Sequence, residues 1–215
     1  NNMTKTIFFD VDTQNDFMNS NGALYVPNAE SIKPNLEQLT AFACEKGIPI
    51  FGDVDRHFGT PEYKEREGEL AKYGGPFPEH CMDGTYGQKK FIEGRDLNLT
   101  LAKGNILQLN SAFIDHALNG RETLFKYNFG DGVTKINEKN ISSVISAFFS
   151  NTIYQIPNSK DFLTKGTPGI FFEKQSYDVT TNPYFDKVME AVKPEVAVVY
   201  GVATDYCVKA AVLGM

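Results

Sequence analysis

Two short apolar runs, Thr6–Val11 (TIFFDV) and Val196–Gly201 (VAVVYG), constrain this chain more than any other feature. The second is apolar on both faces, the pattern of a strand buried inside a parallel sheet. After the first comes a loop-like stretch over 12–33, rich in Asn, Ser, Gly and Pro. The next segment predicts a helix, with Ser31 as a cap near its start and Pro34 in its first turn. Leu36, Leu39, Phe42 and Ala43 share one face of it, and Gly47 stops it. A strand follows over 48–54. Strand, helix, strand is a βαβ unit, which yields parallel strands joined by right-handed crossovers. A second helix over 184–192 puts Phe185, Val188, Met189 and Val192 on one stripe before the last strand, and 170–173 is a weaker strand signal. The expected class is α/β.

A length of 215 residues fits one domain with room for an insertion. Residues 98–168 carry little patterning beyond an amphipathic helix over 141–149, so they read as an inserted lid or subdomain. The sequons at Asn98 and Asn140 read as chance matches, and His116 as an ordinary helix residue. A net charge of −6 argues against a nucleic-acid partner. No apolar run approaches the ~20 residues that span a bilayer. Three cysteines, Cys44, Cys81 and Cys207, are too few for a disulfide framework, and no apolar signal segment precedes the first acids. These features point to a reducing cytoplasm.

Ligands of open α/β sheets bind beyond the carboxyl ends of the strands. That rim receives Asp12 from the first strand, Asp53, Asp55 and His57 from the second, Lys174 from the weak strand, and Thr204, Asp205 and Cys207 from the last. With Thr204 as N-cap, Cys207 falls in the first helical turn, where free N–H groups and the dipole favour a thiolate. Position alone leaves a nucleophile and an inert buried thiol equally open. Asp55 and His57, two apart on an extended segment, point the same way. With His80 they suit Zn²⁺, Fe²⁺ or Mn²⁺, and one of Glu62, Glu65, Glu67 and Glu69 can add a ligand. Two unrelated surface histidines are the plainer alternative.

Four segments carry a resemblance. Val11-Asp-Thr-Gln-Asn-Asp-Phe17, Pro78-Glu-His-Cys-Met-Asp-Gly-Thr85, Glu173-Lys-Gln-Ser-Tyr-Asp-Val179 and Gly201-Val-Ala-Thr-Asp-Tyr-Cys-Val208 stand in family order. They resemble the motifs of the isochorismatase-like cysteine hydrolases, nicotinamidase/pyrazinamidase branch. The resemblance implies a three-layer αβα fold with a doubly wound parallel sheet, here with an inserted lid or subdomain. It implies a triad in which Asp12 takes the thiol proton, Lys174 lowers the thiol pKa and Cys207 attacks an amide carbonyl. It further implies a cis bond between Val202 and Ala203, oxyanion N–H groups at Ala203 and Cys207, and ring-lining aromatics at Phe17 and Phe77. One divalent ion, zinc first and iron or manganese next, is expected on Asp55, His57 and His80. Tyr63 stands where a further His would fall, and Glu69 is the choice for the fourth ligand.

The implied reaction is nicotinamide plus water to nicotinate and ammonia, with a small-molecule amide as partner and a homo-oligomer compatible with the fold. Alternatives are a ureido or carbamoyl amidase and an isochorismatase. Lys126 offers a second lysine context, less well matched than Lys174. Phe8-Phe-Asp-Val-Asp-Thr13 also fits a haloacid-dehalogenase-type phosphatase, with Asp10 as nucleophile, Asp12 as acid/base and Mg²⁺. Relatives continue past the cysteine helix, so a single domain over 1–215 is expected to lack the end of its fold and to expose an apolar sheet edge.

Overall fold

The computed structural model describes residues 5–91, 106–109 and 169–215. Five strands form one sheet in the order β3-β4-β2-β1-β5. They are β1 (Thr6–Val11), β2 (Ile50–Asp55), β3 (Ile106–Leu109), β4 (Gly169–Lys174) and β5 (Val196–Gly201). All four pairings are parallel. A short helix α1 (Asn15–Met18) follows β1, and α2 (Ala29–Lys46) joins β1 to β2. Helix α3 (Phe185–Val192) leads from β4 to β5, and α4 (Lys209–Gly214) ends the chain.

Alternation along β1 builds the three layers. Ile7, Phe9 and Val11 point to the face covered by α3, where Phe172, Phe185, Val188 and Val192 complete the core. Phe8 points to the other face, under Leu36 and Ala43 of α2. The aromatic centre of the first core is close-packed: Phe172 meets Phe185 at 5.2 Å and stacks on Phe9 at 6.4 Å between ring centroids. Burying each such ring contributes about 2–3 kcal/mol. Because α2 and α3 lie on opposite faces and carry the chain in opposite directions, both crossovers keep the favoured hand. The chain reverses between β1 and β5, so the carboxyl ends of these two strands flank a topological switch point, the usual ligand crevice of such sheets.

Several local expectations are corrected. Helix α2 starts at Ala29, so Ser31 lies inside it with its hydroxyl on the Asn28 carbonyl, and Pro34 stands in the second turn. Phe42 is half-exposed and stacks on Phe8 from the margin of the core. Strand β5 is not buried on both faces: Val196 and Val198 are exposed, because β1 alone pairs with it among the described residues. Residues 106–109, expected within the insertion, form β3 and pair with β4 in the main sheet. The remainder of 98–168, including His116, Lys126, both sequons and the helix over 141–149, lies outside the described residues, as does the side chain of Cys44.

Candidate functional site

Each strand of the rim ends in a residue that its backbone aims at the same place. At the end of β1 the chain turns sharply, and Asp12 adopts φ +51°, a left-handed conformation that few L-residues accept. Its N–H is held by Asp53 Oδ1 at 3.0 Å. Lys174, the last residue of β4, reaches across with Nζ 2.8 Å from Asp12 Oδ2 and 3.7 Å from Cys207 Sγ. It also pairs with Asp55 Oδ1. Lys174, Asp12 and Asp55 are almost wholly buried, and Asp12 Oδ1 has no hydrogen-bond partner among the described residues. A carboxylate oxygen that is free and dry beside a thiol is placed to take its proton.

Cys207 sits in a π-helical turn, Thr204–Val208, ahead of α4. Ala203, not Thr204, occupies the N-cap position, and no side chain caps the turn. The Val202–Ala203 bond is cis, as the resemblance implies. Gly201 has φ +130°, a conformation reserved for glycine, and a Cβ there would meet the Val11 carbonyl. The turn thus lies directly against the end of β1.

The electrostatics correct one expectation. Burial pushes the Cys207 thiol up, the Asp12 carboxylate adds to this, and Lys174 only partly opposes them. Burial thus favours the protonated thiol over the thiolate that the helical turn alone would favour. Asp12 itself is raised, by burial and by Asp55, against the pull of Lys174. Burial would raise Asp55 too, but Lys174, His57 and His80 hold it well below the ordinary range. Environment thus shifts the two carboxylates in opposite directions, Asp12 up and Asp55 down.

Next to this group stand Asp55, His57, Glu69 and His80, one ligand atom from each lying within 4.8 Å of the others. His57 Nε2 is 3.1 Å from Glu69 Oε1 and 3.9 Å from Asp55 Oδ2, and His80 Nε2 is 3.4 Å and 3.6 Å from Asp55 Oδ2 and Glu69 Oε1. Tetrahedral N/O ligands at ~2.0–2.1 Å from a zinc ion stand about 3.3 Å apart, so the set fits such an ion. His57 Nε2, which faces Glu69 and Asp55, is buried outside any hydrogen bond, which a cation would remedy. Burial lowers His80, yet Asp55 and Glu69 outweigh it and raise its pKa to about 9. Two imidazoles facing two carboxylates form a strongly attractive seat for a divalent ion.

Among the four candidate acids, Glu62 and Glu65 are exposed, Glu67 is buried behind His57, and Glu69 faces the cluster. Tyr63 packs its ring on Phe58 at 4.5 Å instead. Phe17 and Phe77 lie 5.4 Å and 6.1 Å from the His80 ring. Both line a cavity of about 290 Å³ that opens onto Asp12, Asp55, Glu69 and Cys207. Asp10 is held elsewhere, by Thr13 Oγ1 at 2.8 Å and with Lys90 at 3.5 Å, so it does not join Asp12 as a phosphatase pair would.

Sequence reasoning missed two buried side chains and part of the cavity wall. Gln14 lies within the first motif: its side-chain amide accepts from the Asp55 N–H and donates to the Asp55 carbonyl, both at 2.8 Å. Arg56, between two cluster residues, bonds Glu173 and Asp83. Tyr25, Val26 and Tyr177 complete the cavity wall, and nothing in their local sequence marks them.

No protein-family model and no curated protein matches the chain. Solved structures do. It is similar to the pyrazinamidase of Pyrococcus horikoshii in complex with zinc, at 20% identity, over 98% of this chain and 77% of that one, TM-score 0.53. A nicotinamidase/pyrazinamidase from Bacillus subtilis matches at 19% identity over 98% and 79%, TM-score 0.55. A pyrazinamidase/nicotinamidase from Streptococcus mutans matches at 18% over 96% and 77%, TM-score 0.53. Among the described residues no helix is long and apolar enough to cross a membrane. The chain therefore has the α/β fold of these pyrazinamidases and nicotinamidases, the fold that its four motifs lead one to expect.

Proposed function

We propose that this chain is a metal-assisted cysteine amidohydrolase whose leading substrate is nicotinamide. The observation that carries the reading is Lys174 Nζ, set between Asp12 and Cys207, two residues that line a small cavity with Phe17 and Phe77 in its wall. The Cys207 thiol gives its proton to Asp12 as Sγ attacks the amide carbonyl carbon. Lys174 holds the two negative charges together while this occurs. The N–H groups of Ala203 and Cys207 receive the oxyanion. The tetrahedral species collapses, Asp12 returns the proton to the leaving nitrogen, and ammonia departs from a thioester. Asp12 then takes a proton from water, which attacks the thioester carbonyl and releases the carboxylic acid and the thiol. Asp55, His57, Glu69 and His80 would hold a divalent ion, which would supply Lewis-acid attraction for a ring nitrogen of the substrate. Phe17 and Phe77 flank the ring.

The walls favour a neutral amide over the alternatives. Asp12 and Asp205 line the cavity besides the Asp55 and Glu69 carboxylates that the ion would offset, and Lys174 is already engaged by Asp12 and Asp55. A carboxylate-bearing carbamoyl compound or isochorismate meets repulsion there. Ammonia release is measured on nicotinamide, pyrazinamide, ureido and carbamoyl compounds, beside phosphatase and isochorismate assays. Nicotinamide turnover that disappears in Cys207→Ala is expected. Full activity of that variant on the best substrate would sink the thioester route.

A further inference from the structure

One buried carboxylate has no part in that chemistry. Glu67 is fully buried, two residues before Glu69. Its oxygens accept the backbone N–H groups of Phe58 at 2.5 Å and Gly59 at 2.9 Å, and Oε1 lies 3.7 Å from His57 Nδ1. The opposite ring nitrogen, Nε2, faces Glu69 and Asp55. His80 has the same layout with a backbone acceptor, its Nδ1 2.7 Å from the Pro78 carbonyl and its Nε2 turned to the same two carboxylates. Each imidazole has an acceptor behind it and the cluster in front.

A neutral imidazole that binds a cation through one nitrogen carries its proton on the other. An acceptor at that second nitrogen selects the tautomer and fixes the ring plane. Burying a carboxylate is costly, and two backbone N–H groups alone leave lone pairs to spare, which here face His57. The same two hydrogen bonds clamp the segment after His57 to the loop that presents Glu69. We propose that Glu67 is the positioning residue of this cluster: its carboxylate charge, 3.7 Å from His57 Nδ1, draws the ring proton to that nitrogen so that Nε2 points at the cation, and its anchorage sets the reach of Glu69. The proposal rests on reading Asp55, His57, Glu69 and His80 as a divalent-cation site.

Metal-free wild type, Glu67→Ala and Glu67→Gln are titrated with Zn²⁺ against a chromophoric chelator. Imidazole ¹⁵N spectra of the Zn²⁺-loaded proteins are recorded in parallel. Wild-type His57 is expected to carry its proton on Nδ1 and bind through Nε2. Affinity is expected to fall about 10–100-fold in Glu67→Ala. Glu67→Gln, which keeps one acceptor oxygen, recovers part of the loss and keeps the Nδ1–H tautomer. A folded Glu67→Ala with wild-type affinity and unchanged imidazole shifts overturns the proposal. Coordination of wild-type His57 through Nδ1 also overturns it, and this outcome is readable even where the alanine variant does not fold. Wild type that takes up no Zn²⁺ removes the cation site and the proposal together, while leaving the Cys207 route to its own assay.

Discussion

Replacing Arg56 by methionine tests how the site is braced. The guanidinium is almost completely buried, with Nη1 2.7 Å from Glu173 Oε1, and Nη2 and Nε 2.8 Å and 3.0 Å from Asp83 Oδ1. Arg56 thereby ties the end of β2 to the residue before Lys174 and to the loop that follows His80. Methionine keeps much of the stem but removes three charge-assisted hydrogen bonds. Glu173 is fully buried, so much of its desolvation penalty stays when the guanidinium goes. Breaking a buried ion pair in this way costs about 3–5 kcal/mol. Urea unfolding at pH 7 should show that loss as a lower midpoint with little change in slope. Adding Glu173→Met removes the buried charge as well and should recover part of the stability, because an apolar pair of similar volume replaces an ionic one. A loss under about 1 kcal/mol, or a double variant no better than the single one, would refute this account.

Three further outcomes follow from the geometry. Gln14→Leu removes both hydrogen bonds to the Asp55 backbone and one to the Gln88 carbonyl, and should cost about 3 kcal/mol in urea unfolding. Gly201→Ala forces a Cβ toward the Val11 carbonyl at φ +130° and should lower stability by at least about 1–3 kcal/mol, visible as a reduced Tm. In metal-stripped protein, ionised His80 has its pKa raised to about 9, above its unfolded value of 6.5. Its contribution is fully present below pH 6.5 and lost as pH rises through about 9, amounting to at most about 3 kcal/mol. Thermal melts across pH 6–10 should show that decline, with added Zn²⁺ restoring the Tm at the alkaline end. A flat profile would count against the cluster.

Much of the frame was legible because it is written in short-range patterns. The apolar runs of β1, β2 and β5 need no partner to be recognised, and neither does the stripe of Phe185, Val188 and Val192. Asp55 and His57 are two apart on an extended segment, so their common direction could be read from spacing. The start of α2 was misread because Ser31 and Pro34 look like a helix start, whereas the turn at Asn28 begins it earlier. Val196 and Val198 looked like core residues because an apolar edge strand and an apolar central strand have the same composition.

What the sequence by itself determined was the kind of elements and the placing of the candidate site residues: parallel strands, two crossover helices, and Asp12, Lys174, Cys207 and the two histidines at segment ends. Tertiary structure alone decided which of them meet. Lys174 reaches Asp12 across 162 residues and Asp55 across 119, distances that only the register of β1, β2 and β4 converts into contact. It set Glu69, of four acids, in the cluster, placed Glu67 behind His57, and buried the Cys207 thiol so that its pKa rises. The reason is physical. Propensity and periodicity act over a few residues, whereas pKa, ligand geometry and ion pairing depend on burial and on charges brought together by strand order.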